Sequence, residues 1–354
     1  MAKTSLEHPE LKRVLPRLSE LKPGRKELRR LGRCALELDR IGKIPKPKGK
    51  PKGQILVAAL TQSAIRARGK VEPDLFFPDF LKRLAAKGYR PEFIFHADEL
   101  VERTHAAPSC IIHLYGEERA RPGGALVDEA NAAARVVFNH PDTGGIIRNK
   151  TATNRYLTAR GIRMPAMAFG AKDKVFSNAV DKTSDSVWLS EGGEVDADRY
   201  NTQFIDSRAA YEGTEYFNTI RLLTVGPEIV HAFIGARPAQ AGKPGVHGVN
   251  TPKNAALIQY FYDMLYEANK DRMAQLAVDL DAALGHGFYH HDLIVEKGTG
   301  DIYLCETGYK FDAYAYGSRL IDLRDEAPCI EPFLSEAFAR RSADMVIRAW
   351  TAAG

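Results

Sequence analysis

The chain has 354 residues, of which 44% are hydrophobic and 27% charged, and its net charge is +5. This length allows two or three domains, each with its own core. No run of about 18 apolar residues occurs, and the first twenty residues alternate charge with leucine, so the composition argues against a membrane span and a secretory signal.

The basic charge is concentrated at the start of the chain. Residues 1–53 contain 16 Lys and Arg against 6 Asp and Glu, whereas the remainder is slightly acidic. Two leucine-containing helical patterns precede IPKPKGKPKG, which is typical of an extended, charged linker. The arm either binds phosphates or is a solvated helix that packs on the body. It lacks interleaved aromatic residues, which disfavours a nucleic-acid partner.

The cysteines are isolated and form no CxxC pair. Separate thiols favour a reducing compartment over a disulfide framework or a zinc site, and they predict a cytoplasmic protein. The four residues are Cys34, Cys110, Cys305 and Cys329.

From residue 54 the pattern alternates between strands and helices. QILVAAL, RPEFIFHA, SCIIHLYG and RVVFNHP predict strands, and PDFLKRLAAKGY and GGALVDEANAAA predict helices between them. These lengths predict a small, mostly parallel open sheet. No GxGxxG follows the first strand and no GxxxxGK[ST] occurs, which argues against a dinucleotide site of the Rossmann type and a P-loop.

The second half begins with a capped helix and then becomes rich in strands. NKTATNRYLTARGIRMP predicts a helix that begins after Asn149 and ends before Gly161. KVFSNAV, SVWLSEGGEV, RYNTQFID, YFNTIRLLTVG and EIVHAFIGARP predict strands, and a long helical stretch and a C-terminal helix follow.

HHDLIVEKGTGDIYLCETGYKFD predicts a hairpin in which LIV pairs with IYLC. Asp292 and Glu306 then lie near its open end, where two carboxylates are costly unless a cation lies between them. Mg²⁺ prefers such oxygen ligands. The alternative is an ordinary hairpin with solvated acids.

In this order, the segments from about 54 to 340 resemble the ATP-grasp superfamily, and within it the RimK-like carboxylate–amine ligases. NKTATNRYLTARGIRMP is similar to the segment that opens the nucleotide-binding half, and RYNTQFID to the strand that contacts adenine. TIRLLTVGPEIVHAFIGARP is similar to a two-arginine segment, and HHDLIVEKGTGDIYLCETG to the metal-binding hairpin.

The resemblance implies an α/β (α+β) ATP-grasp fold, with a small open α/β domain followed by two α+β subdomains that clasp the nucleotide. The boundaries expected are 1–53 for the arm and linker, 54–141 for the first domain, 142–212 for the small subdomain and 213–354 for the large one. A homodimer is an expectation of the resemblance alone.

The resemblance implies a role for each residue that matches a functional position of the family. Asp292 and Glu306 would be ligands of Mg²⁺, with Mn²⁺ as a substitute. Arg221 and Arg237 would be the catalytic arginines. The candidates for binding ATP are Lys150, Lys174, Lys182, Gln203, Phe204, Ile205, Glu212 and Glu215.

The arginine in the apolar strand IRLLTV also needs an anionic partner on physical grounds alone. That partner is either a phosphate or carboxylate of a ligand, or a structural acid; the remaining alternative is that the arginine faces outward on an edge strand. Two departures from the family pattern are evident. Gly308 stands where the family has Asn, and KVFSNAVDKTSDSVW lacks the usual glycine-rich loop.

Several residues near these segments are candidates for substrate binding. The histidines of GHGFYHHD lack the pattern of a helical metal site; either a substrate or general-base role or a plain strand-end position fits His291. The full set of substrate-binding candidates is His247, Asn250, His291, Lys310 and Asp312.

The resemblance therefore implies an ATP- and Mg²⁺-dependent ligase. It would join a small-molecule or peptide carboxylate to an amine through an acyl-phosphate, releasing ADP and phosphate. Two alternatives stay open: an ATP-grasp phosphotransferase acting on a small molecule, and a degenerate nucleotide-binding module whose basic arm binds a partner.

Overall fold

The computed structural model describes residues 49–60, 77–94, 96–114, 122–180, 187–239, 244–246, 250–309, 320–330 and 336–354. The predictions made for the basic arm before residue 49 and for Lys182, His247, Lys310 and Asp312 lie outside these ranges. Within them, no helix is both long and apolar enough to cross a membrane.

The first unit is a four-stranded parallel sheet in the order β2-β1-β3-β4. Every residue of the two central strands is buried, as expected for parallel strands covered on both faces. The predicted parallel sheet is confirmed. Its elements are β1 (Gln54–Ala58), α1 (Phe77–Ala86), β2 (Arg90–Ile94), α2 (Ala97–Ala106), β3 (Ser109–His113), α3 (Ala125–Ala133) and β4 (Val136–Phe138).

Two short helices lead from this sheet to a small antiparallel one. The predicted cap is confirmed, because Asn149 accepts a hydrogen bond from the backbone N–H of Ala152 at 2.9 Å. The small sheet has the order β6-β5-β7. The elements are α4 (Pro141–Ile147), α5 (Lys150–Thr158), β5 (Lys174–Asn178), β6 (Trp188–Glu191) and β7 (Tyr200–Gln203).

The third sheet is antiparallel and holds the predicted hairpin. Its order is β10-β9-β11-β12, and β8 pairs with the first residues of β9. The hairpin strands are longer than predicted, so Asp292 and Glu306 lie within the ladder and not at its open end. The strands are β8 (Arg208–Tyr211), β9 (Thr214–Val225), β10 (Glu228–Pro238), β11 (Phe288–Val295) and β12 (Ile302–Gly308).

The predicted long helical stretch is interrupted near its middle. It runs as α6 (Ala255–Phe261), a π-helical turn at Tyr262–Tyr266, a 3₁₀ turn and then α7 (Lys270–Leu284). The C-terminal helix α8 (Glu336–Ala352) packs on α1 of the first unit. The Trp350 ring meets the Tyr89 ring edge to face at 5.9 Å.

The three sheets follow the predicted order of units, although two elements cross the predicted boundaries. β8 was assigned to 142–212 but pairs with β9 in the large sheet. α8 was assigned to 213–354 but contacts the parallel-sheet unit, and one continuous core spans both. The division into subdomains stays a prediction.

An ion pair between α1 and α8 leads to a pH prediction. Arg83 donates two hydrogen bonds to Asp344, at 3.0 and 2.8 Å, and these bonds hold the pKa of Asp344 below its usual value. A lowered carboxyl pKa stabilises the fold above the unfolded-state pKa, and this stabilisation is lost as the pH falls through the folded-state value. We expect Asp344→Asn to cost about 1 kcal/mol at pH 7 and less at pH 3, as measured by urea unfolding.

The control is Asp325→Asn, because Asp325 is highly exposed and its ion pair with Arg324 is long, at 3.7 Å. This variant should match the wild-type free energy of unfolding at both pH values. If Asp344→Asn lowered the free energy of unfolding equally at pH 7 and pH 3, this would contradict the assigned role of the ion pair.

Candidate functional site

A row of side chains crosses the large sheet from β10 to β12. Phe233 on β10 is paired with Arg221 on β9, Arg221 with Asp292 on β11, and Asp292 with Glu306 on β12. Arg221 donates from Nε and Nη2 to the two carboxylate oxygens of Asp292, at 2.8 and 2.9 Å. The predicted arginine and the two predicted acids therefore occupy neighbouring positions.

A β-bulge brings Glu306 to this row. Asp292 is opposite Glu306, but Leu293 is opposite Leu304, so Cys305 is the extra residue. Ile302 and Leu304 point into the core, and strict alternation would send Glu306 to the core as well. The extra residue shifts the alternation, and Glu306 comes to lie beside Asp292.

A buried lysine approaches the row from α5. Lys150, at the first position of that helix, is 7% exposed, and its Nζ is 3.7 Å from Glu306 Oε2. Its backbone N–H donates to Val180 O at 2.9 Å. Because a buried ammonium without a compensating anion is costly, Glu306 explains why Lys150 is tolerated at this position.

The donor set can be tested against Mg²⁺. Two carboxylates on neighbouring strands offer hard oxygen ligands, and Mg²⁺ usually keeps several waters and phosphate oxygens in addition. The described ranges contain no group of three or more His, Cys, Asp or Glu residues arranged for a metal. The third protein ligand of the family pattern is absent, because Gly308 has no side chain. Asp292 and Glu306 thus fit Mg²⁺ only as two ligands of a set completed by water or phosphate.

The predicted adenine segment lies at the end of β7. Gln203 donates its backbone N–H to Ala166 O, and Phe204 donates to Lys174 O, at 2.7 and 2.9 Å. Both N–H groups therefore already have protein acceptors. Ile205 is buried, and the side chain of Lys174 is exposed at the start of β5.

Glu212 and Glu215, two of the candidates for binding ATP, are far from the row. Glu212 is at the tip of the β8–β9 hairpin with φ +46°, about 25 Å from Arg221 at the strand rise per residue. Glu215 accepts hydrogen bonds from Arg208 and Lys297. The Lys297 bond is the main reason why the pKa of Glu215 is lowered. The structure does not bring either glutamate to the row.

The remaining candidates are placed as follows. Arg237 lies four residues along β10 from Phe233, and its Nη1 donates to Gly245 O at 3.2 Å. Asn250 immediately precedes Thr251, whose hydroxyl accepts from the backbone of Ala236. His291 is 1% exposed, so its side chain is enclosed by protein.

The sequence interpretation missed two residues behind the row. Asn154, one turn after Lys150 on α5, donates its Nδ2 to the hydroxyl of Tyr200 and to Pro165 O, both at 2.9 Å. Burial raises the pKa of Tyr200, and the nearby Cys305 and Glu306 add to this. The i,i+4 spacing of Lys150 and Asn154 was the only available sequence signal.

No protein-family model and no curated protein matches the sequence. Similar solved structures include a D-alanine–D-alanine ligase from Bacillus anthracis, at 11% identity and TM-score 0.47, covering 85% of this chain and 98% of that one. Another is a RimK domain ATP-grasp protein from Sphaerobacter thermophilus, at 16% identity and TM-score 0.38. The match covers 82% of this chain and 98% of that one.

An L-amino acid ligase from Bacillus licheniformis is also similar, at 14% identity and TM-score 0.34, covering 75% of this chain and 68% of that one. ATP-grasp ligases are thus among the structures that this chain is similar to. At these identities and TM-scores the likenesses carry no functional conclusion.

Proposed function

We propose that this chain is an ATP-grasp ligase that joins a carboxylate to an amine with Mg²⁺ and ATP, releasing ADP and phosphate. The observation that carries the proposal is the row of Arg221, Asp292 and Glu306, with the buried Lys150 against its end. The sequence motifs that resemble the RimK-like ligases support it. The unpaired thiols of Cys110, Cys305 and Cys329 fit a cytoplasmic setting.

The row has the charges that phosphoryl transfer needs. Asp292 and Glu306 would hold Mg²⁺, which when bound neutralises charge on the transferring phosphoryl group. Arg221 and Lys150 are both paired with these carboxylates. Were Asp292 and Glu306 to hold Mg²⁺, the two cations would supply further positive charge for phosphate or acyl-phosphate oxygens.

The product distinguishes ligation from simple phosphorylation. The proposed ligase phosphorylates its carboxylate substrate and then lets an amine displace the phosphate from the acyl-phosphate. Position and charge therefore do most of the work, and no covalent enzyme intermediate is needed. The product of ligation is therefore an amide without phosphate, whereas the product of a phosphotransferase keeps the phosphate of ATP.

The test is ADP release by the 354-residue chain across a matrix of carboxylates and amines, beginning with amino acids and short peptides. We expect release that needs Mg²⁺ and both substrates, together with a condensed product of the matching mass. A stable phosphorylated product that forms without any amine would replace ligation by the phosphotransferase reaction. Nucleotide binding without turnover of any substrate pair would leave the degenerate nucleotide-binding module.

Lys150 provides a separate prediction. We expect Lys150→Met to raise the KM for ATP by about tenfold or more, because the side chain keeps its volume but loses the cation beside Glu306 that is proposed to meet a phosphate. The kinetics of ADP release measure this. Lys172→Met is the matched control at an exposed position of the small sheet unit and should stay within about twofold of wild type. Equal KM values for both variants would remove Lys150 from the nucleotide site.

A further inference from the structure

His291 lies on the face of β11 opposite to Asp292 and joins the two flanking strands. Its Nε2 is 3.1 Å from the hydroxyl of Thr224 on β9, and its Nδ1 is 2.8 Å from the hydroxyl of Thr307 on β12. The imidazole is 1% exposed, and Thr224 and Thr307 are equally buried. Each ring nitrogen therefore has a hydroxyl partner on a different strand.

The surroundings hold this ring in place. The Tyr289 ring lies 5.5 Å from it, and Tyr289 stacks on Tyr309 at 5.1 Å. The hydroxyl of Tyr309 donates to His140 O. Burying a polar ring is costly unless its nitrogens form hydrogen bonds. The two threonine hydroxyls provide these bonds and so allow the imidazole to be buried.

Thr307 is next to Glu306 and just beyond the bulge at Cys305. Without the bulge, a slip by one residue would turn Glu306 to the core face and Thr307 to the face of Asp292. Only the bulged register places the Thr307 hydroxyl against His291 Nδ1. The same register places Glu306 opposite Asp292.

We infer that the hydrogen bond between His291 and Thr307 is a positioning contact that fixes the bulged register of β12 and so holds the carboxylates of Asp292 and Glu306 side by side. His291 acts through Thr307 and does not touch the substrate. The contact with Thr224 has a different consequence. It ties the ring to β9, whose pairing with β11 is regular between Phe288 and Leu293. The expected effect of this contact on metal binding rests on the proposed function of Asp292 and Glu306.

Two isosteric variants separate these contacts. Thr307→Val and Thr224→Val each remove one hydroxyl from the same imidazole, but only Thr307 is on the bulged strand. We expect Thr307→Val to raise the dissociation constant for Mn²⁺ at least tenfold, as measured from the electron paramagnetic resonance signal of free Mn²⁺. Thr224→Val should stay within about twofold of wild type, and Thr307→Ser should restore binding.

A second measurement needs no metal. Amide hydrogen exchange of residues 302–308 reports directly on the pairing of β12. Both variants leave one buried ring nitrogen without its hydroxyl, but exchange of these residues should be at least tenfold faster in Thr307→Val than in Thr224→Val. If Thr307→Val does not fold, Thr307→Ala is measured in the same two ways.

The outcomes distinguish the inference from the proposed function. Wild-type protein that binds no Mn²⁺ would count against the metal site, and hydrogen exchange would still decide whether Thr307 fixes the register. Wild-type Mn²⁺ affinity in Thr307→Val, or equal effects of the two valine variants on both measurements, would overturn the inference.

Discussion

Asp292→Asn is expected to lower kcat/KM for ADP release by about a hundredfold or more, which corresponds to roughly 3 kcal/mol of transition-state stabilisation. The substitution removes one of the two carboxylates proposed to bind Mg²⁺. It also removes the charge that holds Arg221 by two hydrogen bonds. Loss of metal binding and loss of the orientation of Arg221 therefore act in the same direction. Steady-state kinetics with varied Mg²⁺ measure the effect.

Asp301→Asn is the matched control in the same hairpin. Asp301 immediately precedes β12, and among the described ion pairs its partner is Arg163; it lies five residues before Glu306. An exposed ion pair of this kind contributes about 0–1 kcal/mol to stability, and the variant should keep kcat/KM within about twofold of wild type. If Asp292→Asn behaves like this control, Asp292 does not take part in the reaction.

Asn139→Ala is expected to lower the free energy of unfolding by about 3 kcal/mol or more. Asn139 is 2% exposed, and it links the parallel sheet to the start of β11. Its Nδ2 donates to His113 O at 3.0 Å, and its Oδ1 accepts from Phe288 N–H at 2.8 Å. Its φ of +56° lies in the left-handed region, where alanine is strained and asparagine is tolerated.

Asn139→Gly separates the two causes. Glycine loses the same two side-chain hydrogen bonds but adopts the left-handed conformation without strain. We therefore expect the Asn139→Gly variant to be about 1 kcal/mol more stable than the Asn139→Ala variant. Urea unfolding monitored by circular dichroism measures the difference. Wild-type stability in both variants would show that this junction does not depend on the asparagine.

The order of strands and helices could be predicted from the sequence, because local patterns determine it. The apolar runs at Gln54–Ala58 and Ser109–His113 have the continuous hydrophobicity of buried parallel strands. Asn149 and Gly161 bracket a helix with ordinary cap chemistry. α2 was not predicted, because ADELVERTHA has only a weak apolar stripe, which buries Leu100 and Thr104.

The site could be predicted only in part, because its geometry depends on strand register. Nothing in YLCETG indicates that Cys305 is the extra residue of a bulge, yet that bulge decides which way Glu306 points. The choice of Asp292 as the partner of Arg221 comes from the pairing of β9 with β11, 71 residues apart in sequence. Spacing along one strand carries no such information.

Long-range pairing also explains the candidates that lie away from the row. The resemblance implies a role for Glu215 in binding ATP, but Arg208 and Lys297 donate hydrogen bonds to it on the large sheet. Likewise His291 was selected as a neighbour of Asp292. Alternation along β11 places it on the buried face between two threonines.

The most direct test of the central claim is thermal unfolding of wild type and Glu306→Gln with ATP alone, with ATP and Mg²⁺, and with ATP and a chelator. A ligand bound only by the folded state raises the apparent stability by about 2.7 kcal/mol at a hundredfold excess over its dissociation constant. The account predicts a rise in Tm for wild type that needs both ATP and Mg²⁺ and that is lost in Glu306→Gln. The same Tm for wild type under all three conditions, across a wide range of ATP concentrations, would contradict it.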